Sequence, residues 1–213
     1  MPLDAHAGEA LLGFRPVTRR LGWLGLAVAV VAVVMIGVFT LRPQAQTPPE
    51  SAIGGPFHLV DQQGRPVDQR LLDGKWSAVF FGYTFCPDVC PTTLAALGRA
   101  TDDLGAKAGR FQVVFITVDP ARDTPNQLAM YLSSNTFPKG AIGLTGSPTQ
   151  IAQAAKAYHV FYQKHPEGAS YTMDHTAIVY LMDPKGRFVK PLDLTAPPAD
   201  VARQIAEAMQ TTA

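Results

Sequence analysis

The chain has 213 residues, 18 Lys and Arg against 17 Asp and Glu, a formal net charge of +1 and 47% hydrophobic residues. No block of like charge interrupts it, which excludes the electrostatic footprint of a nucleic-acid or headgroup binder, and no internal repeat is visible. An uncharged apolar run near the N-terminus and a proline-rich stretch are followed by about 160 residues of mixed composition, a normal size for one domain with its own core.

The apolar run is residues 21–41, LGWLGLAVAVVAVVMIGVFTL, bounded by Arg20 and Arg42. As a helix it would rise about 31 Å, the hydrocarbon thickness of a bilayer. A cleaved signal peptide has a shorter apolar region, about 7 to 15 residues, and ends in a small-x-small site. Arg42-Pro43-Gln44-Ala45-Gln46 offers none, so the run reads as an uncleaved signal anchor. Arg15, Arg19 and Arg20 precede it, while only Arg42 follows it before Arg65. That bias keeps residues 1–20 in the cytoplasm and sends the bulk of the chain across the membrane. Asp4 and Glu9 argue against a mitochondrial transit peptide, which is poor in acids. The simplest account is a single-pass protein of a bacterial inner membrane with a periplasmic domain. In that compartment a cysteine pair stays oxidised unless something reduces it. Residues 42–55, with Pro43, Pro48 and Pro49 and no apolar periodicity, read as a linker, and residues 56–213 as the domain.

Within the domain, Phe57 to Arg65 has the pattern of a hairpin turning at Gln63-Gly64. Three continuous apolar runs follow: Ala78-Val79-Phe80-Phe81, Val113 to Val118, and Ala177 to Leu181. Continuity rather than alternation predicts central strands covered on both faces. Helical patterns lie between them. Pro91 opens one, with Leu94, Leu97 and Leu104 at helical spacing. Thr124-Pro125-Asn126-Gln127 and Ser147-Pro148-Thr149-Gln150 each place a hydroxyl cap, a proline and a glutamine where a helix starts. A second strand pair turns at Asp183-Pro184-Lys185-Gly186. The tail helix carries Val201, Ile205 and Met209 as an apolar stripe. Hairpin, strand, helix, strand, helix and a final strand pair is the order of an α/β layer fold of the thioredoxin type, here with an N-terminal β-hairpin extension.

The chemistry concentrates in Phe85-Cys86-Pro87-Asp88-Val89-Cys90-Pro91, which holds both cysteines of the chain. Three residues separate them, so in a helical or turn-like segment both sulfurs share one face about one turn apart. Such a pair either closes as a disulfide or clamps one soft metal ion. In the layer order above it falls at the end of the first buried strand, where a helix begins. Backbone N–H groups and the helix dipole favour a thiolate there. Two thiolates suit Cu(I), and an added imidazole suits Cu(II) as well. Of the five histidines, His6 lies on the cytoplasmic side of the anchor. His58 sits in the hairpin, and His159 and His165 flank an aromatic stretch. His175, in Met173-Asp174-His175-Thr176, leads into the last buried strand, whose approach in a thioredoxin-type sheet lies beside the cysteine loop.

Tyr83-Thr84-Phe85-Cys86-Pro87-Asp88-Val89-Cys90-Pro91 resembles a motif of the Sco/SenC family, membrane-anchored copper proteins needed for assembly of cytochrome c oxidase. So do Thr117-Val118-Asp119-Pro120-Ala121-Arg122-Asp123-Thr124-Pro125, Asp174-His175-Thr176 and Tyr180-Leu181-Met182-Asp183, in the same order. The resemblance implies one copper ion, Cu(I) or Cu(II), held by Cys86, Cys90 and His175. It further implies delivery to, or thiol reduction of, the dinuclear copper site on oxidase subunit II, with a separate chaperone as copper donor. Asp174 would act behind the imidazole, orienting it or adjusting its basicity. His165, in Lys164-His165-Pro166-Glu167-Gly168, is no part of that pattern.

A thiol-disulfide oxidoreductase is the main rival reading. Those enzymes usually have two residues between the cysteines and a cis-proline opposite them. Here three intervene, and Asp174-His175 occupies the stretch where the proline would stand. A thiol peroxidase is a weaker rival: Val89-Cys90-Pro91-Thr92 echoes its reactive segment, but Pro87 stands where the peroxide-binding threonine belongs. Structural zinc normally needs four ligands, and three converge. A structural disulfide across four residues would close too small a loop to stabilise the fold much. The Asp119 to Pro125 segment shares the edge of the cysteines and reads as a helix cap with a loop salt bridge, or else as a contact surface for a partner.

Overall fold

The apolar runs marked as buried strands come together at the centre of one sheet. The computed structural model describes residues 53–211 together with Val31 and Met35, which are helical. Apart from those two residues, the predicted cytoplasmic segment and membrane span lie outside the described residues. Among the described residues no helix is long and apolar enough to cross a membrane. The chain divides into two units, Met1–Pro48 and Pro49–Ala213, and every element named below lies in the second.

Strands β1 (His58–Asp61), β2 (Pro66–Asp68), β3 (Trp76–Gly82), β4 (Phe111–Thr117) and β5 (Ile142–Thr145) belong to the main sheet, as do β8 (Val179–Met182) and β9 (Phe188–Leu192). Its order is β2-β1-β5-β4-β3-β8-β9, seven strands in all. β3 runs parallel to β4 along its whole length, from Trp76 opposite Phe111 to Gly82 opposite Thr117. It runs antiparallel to β8 on its other side. Every residue of β3 is buried, as expected for a strand covered on both faces.

Helix α1 (Val89–Asp103) starts inside the cysteine segment, and α4 (Pro198–Thr211), with Val201, Ile205 and Met209 buried, packs against it. Helices α2 (Pro125–Leu132) and α3 (Pro148–Ala157) begin where the sequence places them. Thr124 Oγ1 accepts from the Gln127 backbone N–H at 3.2 Å. Ser147 and Gln150 form a reciprocal capping box, each side chain accepting the other's backbone N–H, which satisfies donors the helix leaves open.

Both predicted turns have one construction. Asp61 accepts from the backbone N–H of Gln63 and Arg65 and from Arg65 Nε. Asp183 accepts from Lys185, Arg187 and Arg187 Nε in the same way. The glycine between, Gly64 at φ 80° and Gly186 at φ 68°, takes the left-handed conformation that a side chain would resist. Burial alone would raise both carboxyls; the hydrogen bonds from the arginines outweigh it and hold Asp61 and Asp183 below the usual carboxylate range.

Three features differ from expectation. Gly54 donates to the Ala157 carbonyl at 2.9 Å and Ile53 packs on the core, so the stretch read as linker is already seated on the domain at its last residues. β5 is short and holds Gly143, where a Cβ would lie 2.7 Å from Leu132 Cδ1; glycine lets α2 lie flat on the strand. Lastly, β6 (Tyr162–Glu167) and β7 (Ser170–His175) form a separate two-stranded sheet. Its sequence is polar and largely exposed, so no apolar run announces it; its pairing is with itself.

Candidate metal centre

β3 is fixed by the core, and its end delivers the chain to Tyr83 and then to the cysteine loop. Cys86 N–H donates to the Tyr83 carbonyl at 3.2 Å, closing a turn. Two steps before Cys86, Thr84 is tied down by Asp123. That buried carboxylate accepts from Thr84 N at 3.0 Å, Thr84 Oγ1 at 2.7 Å and Thr117 Oγ1 at 2.6 Å. Burial raises the Asp123 carboxyl despite these bonds. Cys90 stands in the first turn of α1, wholly buried, with Cys86 half-buried in the loop before it. Gly82 lies beneath them: a Cβ there would be 2.7 Å from Cys90 Sγ.

The thiols are free and unequal. Cys86 Sγ accepts the Cys90 backbone N–H at 3.4 Å at the start of the helix, where the dipole favours negative charge. Its pKa falls to about 5, first through the hydrogen bond from the Cys90 thiol and then, against burial, through backbone N–H donors. Cys90 moves the opposite way, because its proton serves that bond and because it is buried. One proton shared between two sulfurs leaves Cys86 as the thiolate.

His175 arrives at the end of β7. Its Nε2 lies 3.5 Å from Cys90 Sγ, and its Nδ1 lies 3.2 Å from the Thr176 carbonyl. A carbonyl can only accept, so the network assigns the proton to Nδ1 and leaves the Nε2 lone pair facing the sulfurs. The ring stands edge-on to Tyr83, centroids 5.9 Å apart at 89°, and tilts against Phe80 at 6.2 Å. The donor atoms of Cys86, Cys90 and His175 all fall within 4.8 Å of one another, and no other such cluster occurs among the described residues. Two sulfurs and one imidazole nitrogen are the donor set of a soft metal ion.

Asp174 takes a different place from the one expected. Neighbouring strand residues point to opposite faces, so with His175 turned inward Asp174 points out, its side chain 70% exposed and its Oδ2 3.0 Å from His165 Nε2. The Thr176 carbonyl orients the imidazole instead. His58 lines an open groove beside β1 and β2, and His159 is exposed at φ 55°, both apart from the cluster; His6 lies outside the described residues. The Asp119 to Pro125 segment does hold the expected cap and the Arg122–Asp119 ion pair. Its Asp123 also anchors the cysteine loop, a role unforeseen from sequence although the segment's position on the same sheet edge hinted at it.

With this geometry in view, the likenesses to known proteins become specific. The family model SCO1/SenC matches residues 45–210. The mitochondrial protein SCO1 homolog 1 of Arabidopsis thaliana is 44% identical over 143 residues, 66% of this chain and 42% of its own length. The chain thus spans less than half of that relative. SenC of Rhodobacter capsulatus is 40% identical over 163 residues, 75% of this chain and 73% of its own. The structure of Bradyrhizobium japonicum ScoI with copper bound superposes with a TM-score of 0.69 at 45% identity, covering 73% of this chain and 99% of that one.

Proposed function

The chain belongs to the SCO1/SenC family, and from that premise we propose that it is a membrane-anchored copper metallochaperone for the dinuclear copper site of cytochrome c oxidase subunit II. Sco proteins are copper-binding proteins for cytochrome c oxidase assembly. The observation that carries the reading here is the meeting of Cys86, Cys90 and His175 within 4.8 Å. Copper is the cargo. The Cys86 thiolate is ready at neutral pH, Cys90 loses its proton on binding, and His175 Nε2 adds the nitrogen that lets the site hold Cu(II) as well as Cu(I). The uncharged run 21–41 supports a single anchor helix in a bacterial inner membrane, with the domain in the periplasm and a separate chaperone as copper donor.

The test is titration of the reduced full chain, in detergent, with each copper state. One ion per chain is expected, and Cys86→Ser or Cys90→Ser should abolish binding. His175→Ala should spare part of the Cu(I) affinity and weaken Cu(II) strongly. Unchanged Cu(II) absorption and affinity in His175→Ala would remove the third ligand from the account.

The unequal thiols favour a second reading, reduction of the oxidase's own copper-site cysteines. A half-buried, low-pKa thiolate beside a buried partner is the arrangement of a dithiol reductant: Cys86 attacks, and Cys90 resolves the mixed disulfide. Rapid reduction of an oxidised subunit II copper domain by copper-free protein, with poor copper transfer, would rank this activity first.

A further inference from the structure

The geometry points to Arg122 and Tyr171 as positioning residues that fix the β6–β7 hairpin on the domain and thereby hold the His175 imidazole against the thiols, a role that rests on the copper reading above. The hairpin forms a sheet of its own, so no ladder hydrogen bond of the main sheet secures it. Along β7 alternate residues share a face. Tyr171, Met173 and His175 form the inward one, with Met173 buried. Besides a bond between the Tyr83 hydroxyl and the Met173 backbone, these three side chains face the domain, and His175 is the one with chemical work.

Tyr171 is gripped by Arg122. The guanidinium carbon stands 3.6 Å from the Tyr171 ring centroid, 4.7 Å from that of Phe85 and 5.8 Å from that of Tyr83. Arg122 Nη1 donates to the Tyr171 carbonyl at 3.0 Å, and Nε donates to Asp119. The Tyr171 hydroxyl closes the ring of contacts by donating to Asp119 Oδ1 at 2.9 Å. One cation therefore bonds to the hairpin's backbone, stacks on its ring, lies over the Phe85 side chain next to Cys86 and, farther off, faces Tyr83, whose own ring meets His175.

This Arg is held at a penalty. Its Nη2 is buried with no hydrogen-bond partner among the described residues, an arrangement that a loop salt bridge does not require and that native structures seldom tolerate. What the placement gains is a planar group that stacks and donates in two directions at once, which lysine cannot do. The demand for accuracy is plain from the pleat. Tyr171 and His175 are about 13 Å apart along the strand at about 3.3 Å per residue, and a slip of one residue would turn the imidazole outward.

The experiment compares Arg122→Lys and Tyr171→Phe with the unmutated full chain, all reduced. The first keeps the charge and loses the fork; the second keeps the ring and loses only the hydroxyl. In the copper-free protein, NMR contacts between the His175 and Tyr83 rings should weaken in Arg122→Lys. On loading, its Cu(II) affinity should fall about 10- to 100-fold, as for loss of a group that orients a metal ligand. Its Cu(II)–thiolate absorption should shift, and one Cu(I) per chain should remain. Tyr171→Phe should change the same readouts less, and it carries the test alone if Arg122→Lys fails to fold. Parent-like ring contacts and Cu(II) affinity in the folded variants would overturn the assignment. If the parent bound no copper, the copper reading would fail by itself, while the ring contacts would still decide where Arg122 puts the histidine.

Discussion

Cys86 and Cys90 leave the main sheet at the end of β3, where every residue is buried, whereas His175 arrives on β7, where only Met173 is. The sulfurs inherit their positions from the best-packed part of the molecule. The imidazole inherits its position from an exposed hairpin held by a few aromatic and charged contacts. The difference separates two tasks. Under the proposed copper role the two thiols at the sheet's edge can keep Cu(I) by themselves, and the imidazole on the hairpin, held through Arg122 and Tyr171, would set which oxidation state is retained.

The sharpest way to break the rigid half is Gly82→Ala. The new Cβ would meet Cys90 Sγ at 2.7 Å and Phe115 Cε2 at 2.8 Å, and overpacking of this kind costs about 1–3 kcal/mol. Urea denaturation should show that loss, and Cu(I) competition should show a weaker dithiol; a variant with parental stability and Cu(I) affinity would mean that the floor of the site is soft.

A smaller effect is expected where β8 and β9 turn. Asp183 has its carboxyl lowered by Arg187 against the pull of burial. Because the folded value is the lower one, its stabilisation is present above the unfolded value of about 3.8 and is lost as pH falls through the folded value. Asp183→Asn should cost about 1 kcal/mol at neutral pH and flatten the loss of thermal stability below pH 4. An unaltered acid limb would show that the turn's carboxylate does not matter to the sheet.

The smallest effect belongs to the hairpin's outer face. His165 and Asp174 are exposed, with side chains 45% and 70% accessible, so His165→Ala should shift stability by less than about 0.5 kcal/mol and leave copper affinity alone. A fall in Cu(II) affinity would instead return Asp174 to a role behind the imidazole.

Legibility in the sequence followed the same divide. β3, β4 and β8 were visible because a strand buried on both faces must be apolar throughout. The helix starts at Thr124 and Ser147 and the turns at Gly64 and Gly186 were visible because their chemistry is local. The β6–β7 hairpin was not, since Gln163-Lys164-His165-Pro166-Glu167 has no buried face to mark it; its strands exist through pairing with each other. The cysteine pair announced itself by spacing. Position and family resemblance point to His175, but adjacency in sequence suggests Asp174 as its orienting partner, and only the pleat of β7 shows why that side chain faces away. The Asp119 to Pro125 segment reads in sequence as a cap with a loop salt bridge, or as a partner surface, because the partners of Arg122 and Asp123, Tyr171 and Thr84, are distant along the chain.

X-ray absorption at the copper edge of the Cu(II)-loaded chain addresses the site most directly. Two sulfur neighbours and one imidazole nitrogen at the metal are the predicted shell, with the nitrogen absent in His175→Ala. A shell identical in both proteins, or one containing a single sulfur, would contradict a centre built from Cys86, Cys90 and His175.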